Sequence, residues 1–557
     1  MNLKISLLVG LVMWAGNCFP NNITVSNIHL SGKNARDNYV YLGFDVQWDN
    51  SWKINTGAQN WDAVWIFAKF RINGGAWKHV SLSPFDDQHH VPLEAVVDVS
   101  DDGKGAFIYR ADFGSGTFVV NDVRLKWLYG NDALPDDEPN LEIKVFGIEM
   151  VYINEGDFYV GDGDATARLW DASDMEDNPA IVKQDPVVLR AMDYSKGDDD
   201  DLLKYSGIYV DGDEGIDMDG QSAVDNPNYP TGYKAFYCMK QEITNEQYAE
   251  FLNNLTREQQ NGRAYLDISG ASVENPFPIN PSGHITYRNC VRYNNPSNGI
   301  TEPVNFFCDL NNNGIPNEPD DGQNVIICWI GWPDGAAYAD WAGLRPMTEL
   351  EFEKACRGPE FPVPGSYAWN TSNIFADTTY FFNDLGGKAE YPKNPGEGIY
   401  ANASYAITTG HPGPVNILNG PTRAGIFATA SSDRVNSGAS YYGVLDLTGG
   451  INERCVTIGG DKGRHFQGTH GDGQLTELPG EAGNATNTDW PGVVDTQLSN
   501  GVVGREGSGF RGGDWNDSAT WGLLVSNRFA AAADPYFVDN PRNGNPGSGF
   551  RCVRSVK

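Results

Sequence analysis

Between residues 21 and 140, apolar and polar positions alternate with the period of a strand. The segments YVYLGFDVQW (39–48), AVWIFAKFRI (63–72), KHVSLS (78–83), AFIYRADF (106–113) and VRLKWLYG (123–130) are rich in aromatic and β-branched residues and are separated by Gly, Asn and Asp turns. The pattern predicts an antiparallel β-sandwich of about 120 residues. After residue 140 the pattern changes. LEIKVFGIEMVYINEGDFYVGD (141–162) predicts the opening strands of a second domain. In AFYCMKQEITNEQYAEFLNNL (235–255) a strand leads to Thr244. Gln247 three residues on completes a capping box, and Tyr248, Phe251 and Leu252 follow at helical spacing. Two more helices are predicted over 336–342 and 348–356, the second opened by Thr348 and Glu351 in the same box. From residue 360 onward turns and short strands dominate. The chain thus reads as α+β, with a leader at 1–20, a β-domain at 21–140 and a second domain of low regular structure at 141–557. That second domain is interrupted by acidic runs such as DDDD (198–201) and DGDEGIDMDG (211–220).

A chain of 557 residues exceeds one ordinary core, which supports the division. The formal net charge of −33 repels phosphate and excludes nucleic acid as a partner. It suits an extracellular protein that binds calcium. At the N-terminus Lys4 precedes an apolar stretch (5–15) too short to span a bilayer, which reads as a secretory signal cleaved near Asn21. Cys18 follows Ala-Gly-Asn, which is not a lipobox, so no lipid anchor is expected there. No later segment is long and apolar enough to be transmembrane. The expected location is secreted, periplasmic or at the cell surface. Seven cysteines lie beyond the leader: Cys238, Cys290, Cys308, Cys328, Cys356, Cys455 and Cys552. Oxidising compartments permit disulfides, and an odd count leaves one thiol over. Cys308 and Cys328 flank an acidic loop and are candidates to pair.

That loop, DLNNNGIPNEPD (309–320), matches the calcium pattern D-x-N-x-N-G-x5-D. Asp309, Asn311 and Asn313 supply oxygens, Gly314 permits the sharp turn, Ile315 offers its carbonyl, and Asp320 closes the loop. Pro316 and Pro319 disfavour an exiting helix. His465, His470 and Asp472 lie in a Gly-rich stretch whose spacing fixes no metal geometry. Neither a G-x-S-x-G elbow nor a Walker loop occurs.

Three segments carry a family resemblance: DGAAYADWAGLRPMTELEFEKACRG (334–358), RGGDWNDSATWGLLVSNR (511–528) and the closing GSGFRCVR (547–554). Together they resemble the formylglycine-generating enzyme, or sulfatase-modifying factor, family, with a C-type-lectin-like fold over roughly 145–557. EITNEQYAEFL and YAWN (367–370) fit the same family. The resemblance implies a copper(I) site of two cysteines five residues apart, and here those positions hold Asp517 and Gly522. Soft thiolates are what copper(I) requires, so neither copper nor oxidase catalysis is expected. The resemblance also implies a disulfide between Cys356 and Cys552. It implies a calcium site in DLTGGINE (446–453) from Asp446, Gly449, Ile451 and Glu453. In relatives lacking the cysteine pair, ligands are bound between the RGGxW and GFR motifs. That window here contains Asp517, Thr520, Trp521, Asn527, Arg528, Tyr536, Asn540, Arg542 and Asn543. The expectation is therefore a calcium-stabilised, catalytically degenerate binding or structural protein, meeting a protein or glycan ligand at the cell surface or assembling with itself. The alternative is an active formylglycine-generating oxidoreductase, or another catalyst on this fold.

Overall fold

The computed structural model describes residues 23–136, 138–163, 169–171, 178–184, 187, 189–191, 208–210, 226–294, 300–374, 382–383, 390–392, 420–429, 432–517, 520–531 and 546–557. The leader and both acidic runs lie outside them. Among the described residues no helix is long and apolar enough to cross a membrane. The chain is mostly β, with several largely antiparallel sheets and few, short helices.

The predicted alternation becomes real strands. Along Tyr39–Lys53, the side chains of Val40, Leu42, Phe44, Val46 and Trp48 are buried, as a period of two demands. This strand is the centre of a three-stranded sheet with Thr24–Asn34 and Gly114–Trp127. Its apolar face packs on Val64, Ile66, Ala68 and Phe70 of the strand Asp62–Ile72. Trp48 Nε1, the Ser51 hydroxyl and the Trp52 amide all donate to the buried Asp62 carboxylate, at 2.8–2.9 Å. The segment 78–83 forms only the two-residue strand Lys78–His79, because Ser81 turns its amide and hydroxyl to Asp132 instead of to a ladder.

The larger sheet decides the architecture. Its order is Arg345–Pro346, Cys552–Ser555, Phe236–Met239, Leu141–Ile153, Asp62–Ile72, Ala106–Arg110, Ala95–Val99. Leu141–Ile153 pairs antiparallel with Asp62–Ile72 along the whole of that strand, from Asp62↔Val151 to Ile72↔Leu141. At its far end it pairs with Phe236–Met239. The boundary expected at residue 140 thus falls at the start of the strand that joins both regions into one sheet. Asp62–Ile72 is covered on both faces. Val64 and Ile66 face the N-terminal core, while Ala63, Trp65 and Phe67 face the core of the second region. Trp65 Nε1 donates to the Ala342 carbonyl at 2.9 Å, and the buried Lys69 ammonium donates to the Gly473 carbonyl at 3.1 Å.

Among the described residues, four helices of seven or more residues lie in the second region: α1 (Asn245–Leu252), α2 (Arg257–Arg263), α3 (Trp332–Trp341) and α4 (Glu349–Arg357). The capping boxes at Thr244/Gln247 and Thr348/Glu351 are both formed. α2 has no apolar stripe in its sequence; a third box, Thr256/Gln259, starts it. Within α3, a Cβ on Gly335 would lie 1.9 Å from Phe550 Cδ2, so the chain leading into the closing strand sits directly on this helix. In an exposed helix, Gly→Ala gains about 1 kcal/mol. Here Gly335→Ala overpacks the core, and its unfolding midpoint in urea corresponds to a loss of about 1–3 kcal/mol.

Candidate functional site

The second region is organised around charges buried on α4. Glu349, Glu353 and Arg357 are fully buried. Arg511, ending the strand Ser508–Arg511, donates to Glu349 at 2.8 Å and also bonds Glu353. Arg528 grips both oxygens of Glu349, at 2.5 and 2.8 Å. The Ile458 amide and Thr457 hydroxyl complete the Glu349 shell, at 2.7 and 3.0 Å. Glu353 pairs with Arg357 and accepts the Gly161 amide at 2.8 Å. Burial alone would raise the Glu349 carboxyl. The guanidiniums of Arg528 and Arg511 outweigh it and hold this acid below the ordinary carboxylate range.

This network sets the path of the chain that follows Arg511. Gly512 and Gly513 turn at φ of 88° and 72°, where a side chain would be strained and would also collide: a Cβ on Gly512 would stand 2.5 Å from Glu453 Oε2. The Asp514 amide donates to Asp517 Oδ2 at 2.9 Å. Asp514 itself accepts from the Asn516 amide and from Asn452 Nδ2, both at 2.7 Å. Burial, then the neighbouring Asp517, pushes Asp514 up to about 7. A Cβ on Gly522 would sit 3.2–3.3 Å from the Asp517 carboxylate. Positions 517 and 522 are therefore side by side, with a carboxylate packed against bare backbone.

A second acidic centre lies behind this turn. Arg551 bonds Glu453 Oε1 from Nε at 3.3 Å and Nη2 at 3.1 Å, and faces Glu242 Oε2 at 3.1 Å. Asp446, at φ 59°, accepts the Gly425 amide at 2.5 Å. Both oxygens of Glu242 and Oε2 of Glu453 are buried without a hydrogen-bond partner. Burial raises all three carboxyls despite the attraction of Arg551, and Glu453 reaches about 8.

Residues 147–556 match the family described as the sulfatase-modifying factor enzyme 1-like domain, from the middle of the Leu141–Ile153 strand to the closing strand. The chain belongs to this family. A search of curated proteins found no match to it.

Within this sulfatase-modifying factor enzyme 1-like domain, the residues expected from sequence divide into several groups. Asp446 and Glu453 lie near each other around Arg551, with Gly449 and Ile451 in the intervening turn. Gly449 donates its amide to the Gly512 carbonyl at 3.0 Å. Glu242 was missed; it stands one residue before the Ile243-Thr244-Asn245 helix start, where sequence reads as strand end. In the tail, Trp521 is 48% exposed and meets Phe529 edge to face at 5.8 Å between centroids. Thr520 begins the 3-10 turn Thr520–Leu523. Asn527 spends its carboxamide locally, donating to the Trp521 carbonyl and accepting the Phe529 amide, both at 3.0 Å. Arg528 corrects the sequence reading. It is buried against Glu349, because two buried carboxylates on α4 need their counter-charges, and it is no part of an exposed face. Tyr536, Asn540, Arg542 and Asn543 lie outside the described residues.

The bridge between Cys356 and Cys552 is not formed. All seven described cysteines are free, buried thiols. Cys356 packs with Phe352, Ala355 and Cys455 in one core, whereas Cys552 belongs to the core holding Met239 and Trp332. Cys308 also lies apart from its expected partner Cys328; its thiol hydrogen-bonds with Cys290. His470 is half-buried, with Nε2 accepting the Ser555 amide at 3.0 Å, while His465 is exposed, so the two do not form a metal pair. The loop 309–320 stands between the strand Asn305–Cys308 and irregular chain, without flanking helices.

Two outcomes follow from these buried charges. Glu349→Gln leaves Arg511 and Arg528 without their full counter-charge and lowers unfolding free energy by about 3–5 kcal/mol in chemical denaturation. For Glu453, the folded chain holds a proton that the unfolded chain loses near 4.5. The folded state then binds more protons between about 4.5 and about 8, so stability falls as pH rises through that window. In chelator-treated protein the urea midpoint declines over this range, and Glu453→Gln flattens the decline.

Proposed function

We propose that this chain is a secreted or cell-surface member of the family that does not carry out copper-dependent oxidation. It keeps the fold as a calcium-stabilised scaffold for a protein or glycan ligand, or for self-assembly. The N-terminal three-stranded sheet against the larger sheet supports reading the first region as a β-sandwich. The second is then a C-type-lectin-like core. The observation that carries the functional reading is the contact of Asp517 with Gly522. A copper(I) site there requires two thiolates, and this pair offers one hard carboxylate and a hydrogen. Thiols elsewhere do not replace them. Burial raises Cys356 and Cys455 well above the ordinary thiol range, which keeps them protonated. The competing reading, an active formylglycine-generating oxidoreductase or another catalyst, has no comparable support.

Glu242, Asp446 and Glu453, with the Gly449 and Ile451 carbonyls, fit calcium. They are hard oxygens, and the three carboxyl groups share Arg551, with Arg423 also near Asp446, while Glu242 Oε1 and Glu453 Oε2 accept no hydrogen bond among the described residues. The ion would stand among these acids, whose carboxyls burial raises. Trp521 supplies the binding face, an exposed indole stiffened by Phe529 and by the Asn527 turn. Large, rigid aromatic area with few rotatable bonds is what binding surfaces favour.

Two measurements test this reading. On arrays of glycans and of extracellular proteins, the wild-type chain gives signals that Trp521→Ala loses; equal signals from both contradict the binding face. Chelating calcium lowers the melting temperature of the wild-type chain by about 5 °C, and Glu453→Gln reduces that shift; a melting temperature indifferent to chelator contradicts the calcium site.

A further inference from the structure

We propose that the loop 309–321 is a separate calcium site, and that its closing ligand is Asp321, with Glu318 beside it. Sequence spacing alone ended the loop at Asp320 and passed over both residues.

Asp309 leaves the strand Asn305–Cys308 fully buried. Its Oδ1 accepts the Asn313 amide and its Oδ2 the Gly314 amide, each at 3.0 Å. Asn311 accepts the Asn313 amide at 3.0 Å, and Asn313 accepts the Ile315 amide at 2.7 Å. Gly314, at φ 82°, makes the reversal. These bonds wrap the chain around Asp309.

Three more acids close the other side. Oxygens of Glu318, Asp320 and Asp321 all lie within 4.8 Å of one another, the one group of this kind among the described residues. The carboxamides of Asn311 and Asn313 reach across to them: Asn311 Nδ2 stands 3.1 Å from Asp320 and 3.4 Å from Glu318, and Asn313 Nδ2 bonds Glu318. Rotation of either amide turns its oxygen inward in place of its NH2.

Asp321 is the residue that makes this more than an acidic loop. It is fully buried; Oδ2 accepts the Glu318 amide at 2.6 Å and the Asn311 amide also faces the carboxylate, but among the described residues Oδ1 accepts no hydrogen bond of ordinary geometry. Its main chain is anchored by the Cys290 thiol, which donates to the Asp321 carbonyl at 3.2 Å. A buried carboxylate oxygen left unbonded is costly unless a cation or a proton meets it. The charge balance points to a cation. Among the described residues, the one cationic side chain bonded to the four acids Asp309, Glu318, Asp320 and Asp321 is Arg292, which bonds Asp309 at 2.5 Å and Asn312 at 3.2 Å. Arg292 is one-quarter exposed and has solvent to swing into. Four carboxylates and two carboxamides on an irregular loop match the six to eight oxygens that calcium accepts, whereas magnesium needs a stricter octahedron.

The site is separable from the Glu242, Asp446 and Glu453 centre by titrating calcium into chelator-stripped, full-length Glu453→Gln protein. Uptake at one site is expected to remain. Adding Asp321→Asn weakens that uptake roughly tenfold or more, while Asn313→Asp, in an otherwise wild-type chain, tightens it by adding a carboxylate. The gain in Asn313→Asp cannot come from misfolding. Affinity unchanged by both Asp321→Asn and Asn313→Asp overturns the loop site. Loss of all uptake in Glu453→Gln, with an unchanged Asn313→Asp titration, overturns it as well and assigns the calcium to the other centre.

Discussion

Two glutamates one turn apart on α4 carry the geometry of the whole second region. Glu349 and Glu353 are buried where an isolated carboxylate would be prohibitively expensive. They persist because Arg511 and Arg528 arrive from separate parts of the chain, and Arg357 stands one turn along α4 itself, with aligned donors. Each arginine in turn fixes the segment it belongs to. Arg511 sets the exit of the strand Ser508–Arg511 and also donates to the Val525 carbonyl at 2.6 Å. Arg528 pins the return of the tail, and Arg357 bonds the Gly161 carbonyl at 3.0 Å. Replacing such a cluster by apolar groups need not cost stability, but removing one member strands the others. The network therefore specifies one path for the tail.

The ion pairs that set that path involve neither residue 517 nor residue 522. The scaffold contacts run through the arginines, the paired glycines 512 and 513, and Arg551 beneath them. The Asp517 carboxylate accepts the Asp514 amide and lies against the backbone of Gly513 and Gly522. On the outer side of the turn is the exposed Trp521, and on its inner side are the buried carboxyl groups of Glu242, Asp446 and Glu453.

Much of this was legible in the sequence where the determinants are local. The capping boxes at Thr244 and Thr348 mark helix starts because their partners lie three residues away. The strands Tyr39–Lys53 and Asp62–Ile72 reveal themselves by alternation and by unbroken apolar character. The shared sheet was not legible, because the pairing of Leu141–Ile153 with Asp62–Ile72 joins residues some 70–90 positions apart. Arg528 reads as a surface residue, since arginine is seldom buried; only its distant partner Glu349 explains its place. Glu242 and Asp321 were invisible for the same reason. Each looks like an ordinary polar residue beside a recognised motif, and it gains meaning only when the fold brings other carboxylates around it. The expected Cys356–Cys552 bridge fails on direction: the two thiols point into different cores.

The central claim is that the Asp517–Gly522 pair removes copper chemistry from an otherwise retained scaffold. The most direct measurement is competition for copper(I) between the purified full-length chain and a chromogenic copper(I) chelator, repeated on Asp517→Cys/Gly522→Cys. The account predicts that the wild-type chain withdraws no copper and that the double variant withdraws one equivalent, because its two thiols then stand side by side. One tightly held equivalent in the wild-type chain, lost in Cys455→Ser, would contradict it.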